Sequence, residues 1–201
     1  MGKGQTWPDP GNPDQQILVT FQLDRQTYAL PIAHIAQIVE MVTITPVPQA
    51  GPAVEGVIHV RGAAVPVVNL RRHFGLPESP LQLHTPIILV ETGRWTVGLI
   101  VDEVLDVLQL PVAQIARPAD VLPADLEATP ILQGLARTPG GTLLLLDLEH
   151  LFRPDQAQAL AQVIAALREK DSSSESGSAS AVPAPEPIVA AQSSTTLEGE
   201  A

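Results

Sequence analysis

The 201-residue chain contains no cysteine, which removes disulfides, Cys-ligated zinc and thiol nucleophiles together and leaves packing alone to hold the fold. A reducing compartment suits such a chain. Aromatic residues make up only 3%, and 11 Lys and Arg stand against 22 Asp and Glu. The basic stripe and stacking platform that nucleic-acid binding needs are therefore missing. No apolar run approaches the roughly 18 residues of a membrane span; fragments such as Pro86-Ile87-Ile88-Leu89-Val90 are the longest. No apolar stretch of the secretory-leader kind follows Met1. Any link to a membrane is expected to run through a partner.

The residues of catalysis are equally scarce. Ser79 is the only serine before residue 171, and it sits in Pro77-Glu78-Ser79-Pro80, unlike the strand-turn-helix setting of a nucleophile. The histidines at 34, 59, 73, 84 and 150 show no metal-ligand spacing. No glycine-rich phosphate loop occurs. Asp102, Glu103 and Asp106 form the densest carboxylate cluster; a divalent ion is one reading, a solvated turn the plainer one. No catalytic residue, metal or cofactor is expected, and a surface-recognition protein remains.

What is present is β-rich. Residues 1–15 are rich in Pro, Gly, Asp and Gln and predict a flexible lead. From Ile17 onward short apolar runs alternate with turn residues, the pattern of an all-β barrel or sandwich. Ile17–Leu23 and Tyr28–Ile32 read as a hairpin. Ile35, Ile38 and Val39 read as a turn, then a strand through Val42 and Ile44. Gly56–Val60 and Val65–Leu70 flank a tight turn at Arg61-Gly62-Ala63-Ala64, with Pro66 suggesting an edge or bulge. Ile87–Glu91, Trp95–Val101 and Val104–Leu110 follow, and Ile131–Ala136 pairs with Leu143–Leu148 around Pro139-Gly140-Gly141. After Pro154-Asp155, the stripe Ala157, Leu160, Ala161, Ile164 and Leu167 predicts an amphipathic helix over 154–170. Residues 171–201 carry five acidic residues and no basic one among Ser, Ala, Pro and Thr, the composition of a disordered tail. One domain over 16–153 is expected between these segments.

The chain also repeats itself. At an offset of 78 positions Gly56-Val57 falls on Gly134-Leu135, Val67-Val68-Asn69-Leu70 on Leu145-Leu146-Asp147-Leu148, and Phe74 on Phe152. At an offset of 69, Leu30, Ile32, Ile35 and Ile38 fall on Leu99, Val101, Val104 and Val107. Two similar β-modules in a pseudo-twofold pair are predicted.

Taken in order, Tyr28-Ala29-Leu30-Pro31-Ile32, Ile44-Thr45-Pro46-Val47-Pro48, Gly56-Val57-Ile58-His59-Val60-Arg61-Gly62, Pro66-Val67-Val68-Asn69-Leu70-Arg71, Phe74-Gly75-Leu76, Val97–Asp102 and Val107-Leu108 make the stretch from Ile17 to Phe152 similar to the CheW-like domain family. The resemblance implies two pseudo-symmetric five-stranded β-barrels around a hydrophobic groove. It implies a non-enzymatic chemotaxis adaptor, cytoplasmic and recruited to membrane receptor arrays. Its partners would be the regulatory domain of a CheA-type histidine kinase, the cytoplasmic tip of methyl-accepting chemoreceptors, and other CheW-like domains in rings. The equivalent adaptor of a pilus-motility or phototaxis system is an alternative, and a small-ligand-binding β-barrel domain a second. By position, Ile35, Gln37, Gly56, Arg61 and Gly62 match the family's first-barrel contact region, and Gly98 and Val107 match second-barrel positions linked to coupling. Gln37 stands where the family often has glutamate, and His59-Val60 replaces the common Asn-Leu before Arg61; both changes bear on partner choice.

Overall fold

A computed structural model describes residues 13–48, 50–93, 95–121, 131–152, 156–158 and 160–165. The predicted lead up to residue 12, the start of the terminal helix at Pro154-Asp155, and the acidic tail lie outside the described residues.

Eleven strands follow one another in chain order: β1 (Gln15–Leu23), β2 (Gln26–Pro31), β3 (Ile35–Glu40), β4 (Val54–Val60), β5 (Ala63–Asn69), β6 (Pro86–Glu91), β7 (Thr96–Ile100), β8 (Glu103–Pro111), β9 (Ile115–Ala116), β10 (Leu132–Thr138) and β11 (Gly141–Leu146). They form a five-stranded sheet in the order β3-β6-β7-β5-β4 and a six-stranded sheet in the order β8-β1-β2-β11-β10-β9. The two orders are the same arrangement in different halves of the chain. The isolated bridge Thr45↔Val57 beside β4 takes the place that β9 takes beside β10. In each sheet the chain leaving one edge returns to pair at the other, which curls the sheet towards a barrel.

The predicted repeat is thus real, with an exchange that periodicity does not show. The hairpin β1–β2 belongs to the sheet of the second half, and β6–β7 to the sheet of the first. The seams of this exchange are parallel pairs, β5 on β7 (Val67↔Gly98) and β11 on β2 (Leu145↔Ala29). Those two residue pairs are each other's twins under the offsets of 78 and 69.

Among the described residues four apolar clusters result, the smallest being Ala50, Val57 and Val163 under the terminal helical segment. Ile58, Val65, Val67, Ile87, Leu89 and Ile100 fill the first barrel; Leu18, Ala29, Ala136, Leu143 and Leu145 fill the second. The largest lies between them and takes Phe21, Leu30, Val68, Ile88, Leu99, Leu146 and Leu160 among others. All three phenylalanines and the tyrosine meet here with His73. Ring centroids stand 5.9 Å apart for Phe21–Tyr28, 5.6 Å for Tyr28–Phe74, 5.2 Å for His73–Phe74 and 5.5 Å for His73–Phe152. The few aromatics are concentrated where the two modules must be joined, and His73 Nε2 donates to the Leu151 carbonyl across the same junction at 2.8 Å.

Several local expectations change. β3 ends at Glu40, and Val42 and Ile44 lie outside it. Pro66 is not at an edge: β5 is an interior strand. Its missing N–H is tolerated because pairing to β7 begins one residue later, at Val67. A one-turn helix α1 (Leu70–His73), absent from the sequence reading, is capped by Asn69, whose side chain accepts from the N–H groups of Arg71 and Arg72. Its twin Asp147 accepts likewise from Glu149 and His150. Gly75, at φ +67°, ends α1: its N–H donates to the Arg72 carbonyl and that of Leu76 to the Arg71 carbonyl, the paired bonds of a Schellman close. Gly75→Ala is expected to cost about 1 kcal/mol, read as a lowered chemical-denaturation midpoint with an unchanged slope.

Helical residues 156–158 and 160–165 bury Leu160 and Val163. The buried stripe is therefore turned slightly from the predicted one, with Val163 replacing Ile164 at its centre.

Candidate interaction surfaces

Two features of the surface stand out from ordinary barrel architecture. The first is a pair of β-bulges. Along β3 the register shifts between Ile35 (opposite Val90) and Gln37 (opposite Leu89), after which Ile38 lies opposite Ile88. Val90 and Ile88 face the inter-module core and Leu89 faces the barrel interior. The extra residue at Ala36 therefore places Ile35 and Ile38 on one outward face, where simple alternation would oppose them. β8 does the same: Val104 lies opposite Phe21 and Val107 opposite Val19, with the register shifted between. Ile35 and its twin Val104 pack on the margin of the inter-module core. Ile38 and its twin Val107 stand 41% and 46% exposed. Leu105, twin of the bulged Ala36, is exposed as well.

The second feature is the β4–β5 hairpin. Its two-residue turn has Arg61 at φ +52° and Gly62 at φ +83°, the double left-handed turn that favours Asn-Gly. Arginine there carries a strain of about 1 kcal/mol. The twin turn at Pro139-Gly140 uses no non-glycine residue at positive φ, so the architecture does not require the strain. Arg61 and Gly62 are both exposed.

The other expected contact residues are placed differently. Gln37 is half-buried on the inward face of β3. Gly56 is buried at a bulge in β4, where an added Cβ would overlap the Thr45 carbonyl oxygen and stand 2.7 Å from Ile44 Cγ2. Gly98 is buried inside the first barrel, with Ile87 Cγ2 2.9 Å and Val67 Cγ2 3.2 Å from any Cβ. The close approach at these two glycines is by the chain's own residues. Ile38 and Leu105 escaped the sequence reading as surface residues, although the 69-position offset already paired Ile38 with Val107.

Of the carboxylate cluster, Glu103 and Asp106 are exposed on β8, while Asp102 is held in a clamp. Arg71 donates from Nε to Asp102 Oδ1 at 2.6 Å and from Nη2 to Oδ2 at 2.7 Å, and the Asp24 N–H donates to Oδ2 at 2.7 Å. Arg71 also reaches the Pro77 carbonyl. One carboxylate so ties the β1–β2 turn, α1 and the β7–β8 link. Burial acts to raise the Asp102 pKa, but the Arg71 hydrogen bonds, the Asp24 N–H and the Arg71 charge outweigh it and hold it below the ordinary carboxylate value.

Comparison with known proteins settles the family. The CheW-like domain model matches residues 18–156. The chain belongs to the CheW-like domain family. Chemotaxis protein CheW of Thermotoga maritima is 32% identical over 135 residues, covering 67% of this chain and 86% of that protein. Chemotaxis protein CheW of Klebsiella aerogenes is 32% identical over 142 residues, covering 71% and 84%. Among solved structures, the scaffolding protein TtCheW of Thermoanaerobacter tengcongensis superposes with a TM-score of 0.63 at 30% identity, over 70% of this chain and 94% of that one. The CheW-like assignment accounts for the paired β-modules, and it makes this chain a relative of chemotaxis scaffold proteins. Among the described residues no helix is long and apolar enough to cross a membrane.

Proposed function

We propose that this chain is a non-catalytic chemotaxis adaptor that couples methyl-accepting chemoreceptors to a CheA-type histidine kinase in the cytoplasm, at membrane-bound receptor arrays. The observation that carries the reading beyond family membership is the pair of twin bulges, which spend a strand residue each to turn Ile38 and Val107 outward beside the inter-module core. An apolar surface so constructed suits a helical receptor tip, which would bury aliphatic residues against it. The strained Arg61 turn supplies the charged contact: a guanidinium on a rigid hairpin tip forks onto a partner carboxylate or carbonyl. In this reading Gly62 keeps that tip slim, while Gln37, Gly56 and Gly98 act on partners through the positions of β3, β4 and β7.

The test is reconstitution of the purified chain with the CheA-type kinase and receptor cytoplasmic fragment of its own genome, read by kinase autophosphorylation. Receptor-dependent stimulation is expected; absence of binding with both partners folded rejects the reading. Arg61→Asn sharpens the test. Asparagine suits the turn, so the thermal midpoint is expected to hold or rise, while partner affinity falls by about tenfold or more, as for a rim arginine anchor. Undiminished affinity would remove Arg61 from the interface.

A further inference from the structure

The two modules are twins, yet their outer faces are covered unequally. On the first module, Ala53, Val54 and Val68 lie under the terminal helical segment: Leu160 joins the inter-module core with Ala53 and Val68, and Val163 packs with Ala50, Val57 and Val54. At the 78-position offset, the twins of Ala53, Val54 and Val68 are Ile131, Leu132 and Leu146. These three line a cleft of about 1110 Å³ together with Tyr28, Leu144, Phe74 and Leu76; Ile131 and Leu132 are half-buried there and Leu146 is buried.

The asymmetry has a local cause. After Phe152 the chain continues into the helix that covers the first module. After the twin Phe74, Gly75 and Leu76 close α1, and Pro77-Glu78-Ser79-Pro80 follows; two prolines in four residues bar a helix there. Arg71 and Arg72 hold that loop by bonds to the Pro77 carbonyl and the Glu78 carboxylate. Among the described residues Ala53 and Gln156, from the first module and its helical cover, also line the cleft, which therefore runs from the second module's face to the margin of that cover. At about 1110 Å³ the cleft exceeds the roughly 300–1,000 Å³ of small-ligand pockets.

We propose that this cleft binds an amphipathic α-helix of a partner protein, one presenting aliphatic side chains at i, i+3 and i+4 as Leu160, Val163 and Ile164 do on the twin face. The chain itself shows what chemistry covers this surface in its other copy. The cleft shares no residue with the Ile38 and Val107 surface, so its occupancy is independent of the coupling reading above.

The probe is a fluorescein-labelled peptide of residues 154–170 of this chain, titrated into the full-length protein. The cis helix keeps the first module's face, because its tethered effective concentration is on the order of millimolar. Saturable binding is expected at micromolar peptide, weakened about tenfold by Leu144→Glu and by Leu76→Glu. These half-buried residues lie on different segments of the lining, β11 and the turn that closes α1, and each variant's thermal midpoint is measured alongside, so that one unfolded variant leaves the other decisive. Amide shifts at Tyr28, Leu132 and Leu144 are expected on peptide addition. No saturable binding up to about 1 mM overturns the proposal. So does binding that the folded variants leave unchanged.

Discussion

Gly56→Ala is expected to lower stability by about 3 kcal/mol, roughly 6–12 °C in thermal midpoint, whereas Gly134→Ala, its twin, loses less than half as much. Both glycines sit at the bulge of an equivalent strand and let another segment cross closely. At Gly56 the obstruction is backbone, the Thr45 carbonyl, with Ile44 Cγ2 beside it, and φ is +150°. A methyl group there must break the paired bonds Thr45 N–H to Val57 O and Val57 N–H to Thr45 O, both 2.8 Å, which close the first barrel. At Gly134 the obstruction is the Ile115 Cγ2 methyl, with the Ala116 carbonyl 3.3 Å away. A side chain turns about χ1; a carbonyl held in a ladder does not. Equal losses in denaturant titrations would show that the barrels close with the same rigidity and that the Thr45 bridge has no special role. Any effect of Gly56→Ala on partner binding is expected to track the loss of fold, in contrast to Arg61→Asn.

Asp102→Ala is expected to cost about 2–3 kcal/mol, near the lower bound for breaking a buried ion pair. Its partner Arg71, with a side chain only 15% exposed, is left with a desolvated charge. The pH dependence follows from the direction of the shift. Asp102 has a folded-state pKa below its ordinary value of 3.8, so the unfolded chain binds the proton first. The clamp's contribution is whole above that ordinary value and is lost as pH falls through the depressed folded value. The wild-type protein is therefore expected to lose stability below about pH 4 more steeply than the Asp102→Ala variant. Parallel acid-unfolding curves for the two would place the junction's stability elsewhere, in the aromatic ladder and the apolar core.

Much of this molecule is legible along the chain because the signals are local. Alternating runs, turn residues and the recurrence of Gly56, Asn69 and Phe74 at Gly134, Asp147 and Phe152 report strands and twin modules without any tertiary information. What failed did so where a distant segment intervened. Asp102 reads as a solvated carboxylate until Arg71 and the Asp24 N–H are brought to it. Pro66 reads as an edge residue until its strand's parallel pairing is seen to start at Val67. Ile38 reads as one more residue of a strand, since nothing in the sequence marks Ala36 as the residue that is bulged.

Composition and periodicity by themselves determined that the chain is all-β, repeated, and poor in the residues of catalysis and metal binding, since each property is a sum or a pattern over neighbours. Only the tertiary structure decided that the modules exchange hairpins, that twin bulges turn Ile38 and Val107 outward, and that, among the described residues, a helix covers the first module while a cleft opens beside the second. Those outcomes depend on pairings between segments far apart in sequence, such as β2 with β11 and β5 with β7. Several registers would satisfy the local pattern equally, and the buried contacts of the whole fold choose among them.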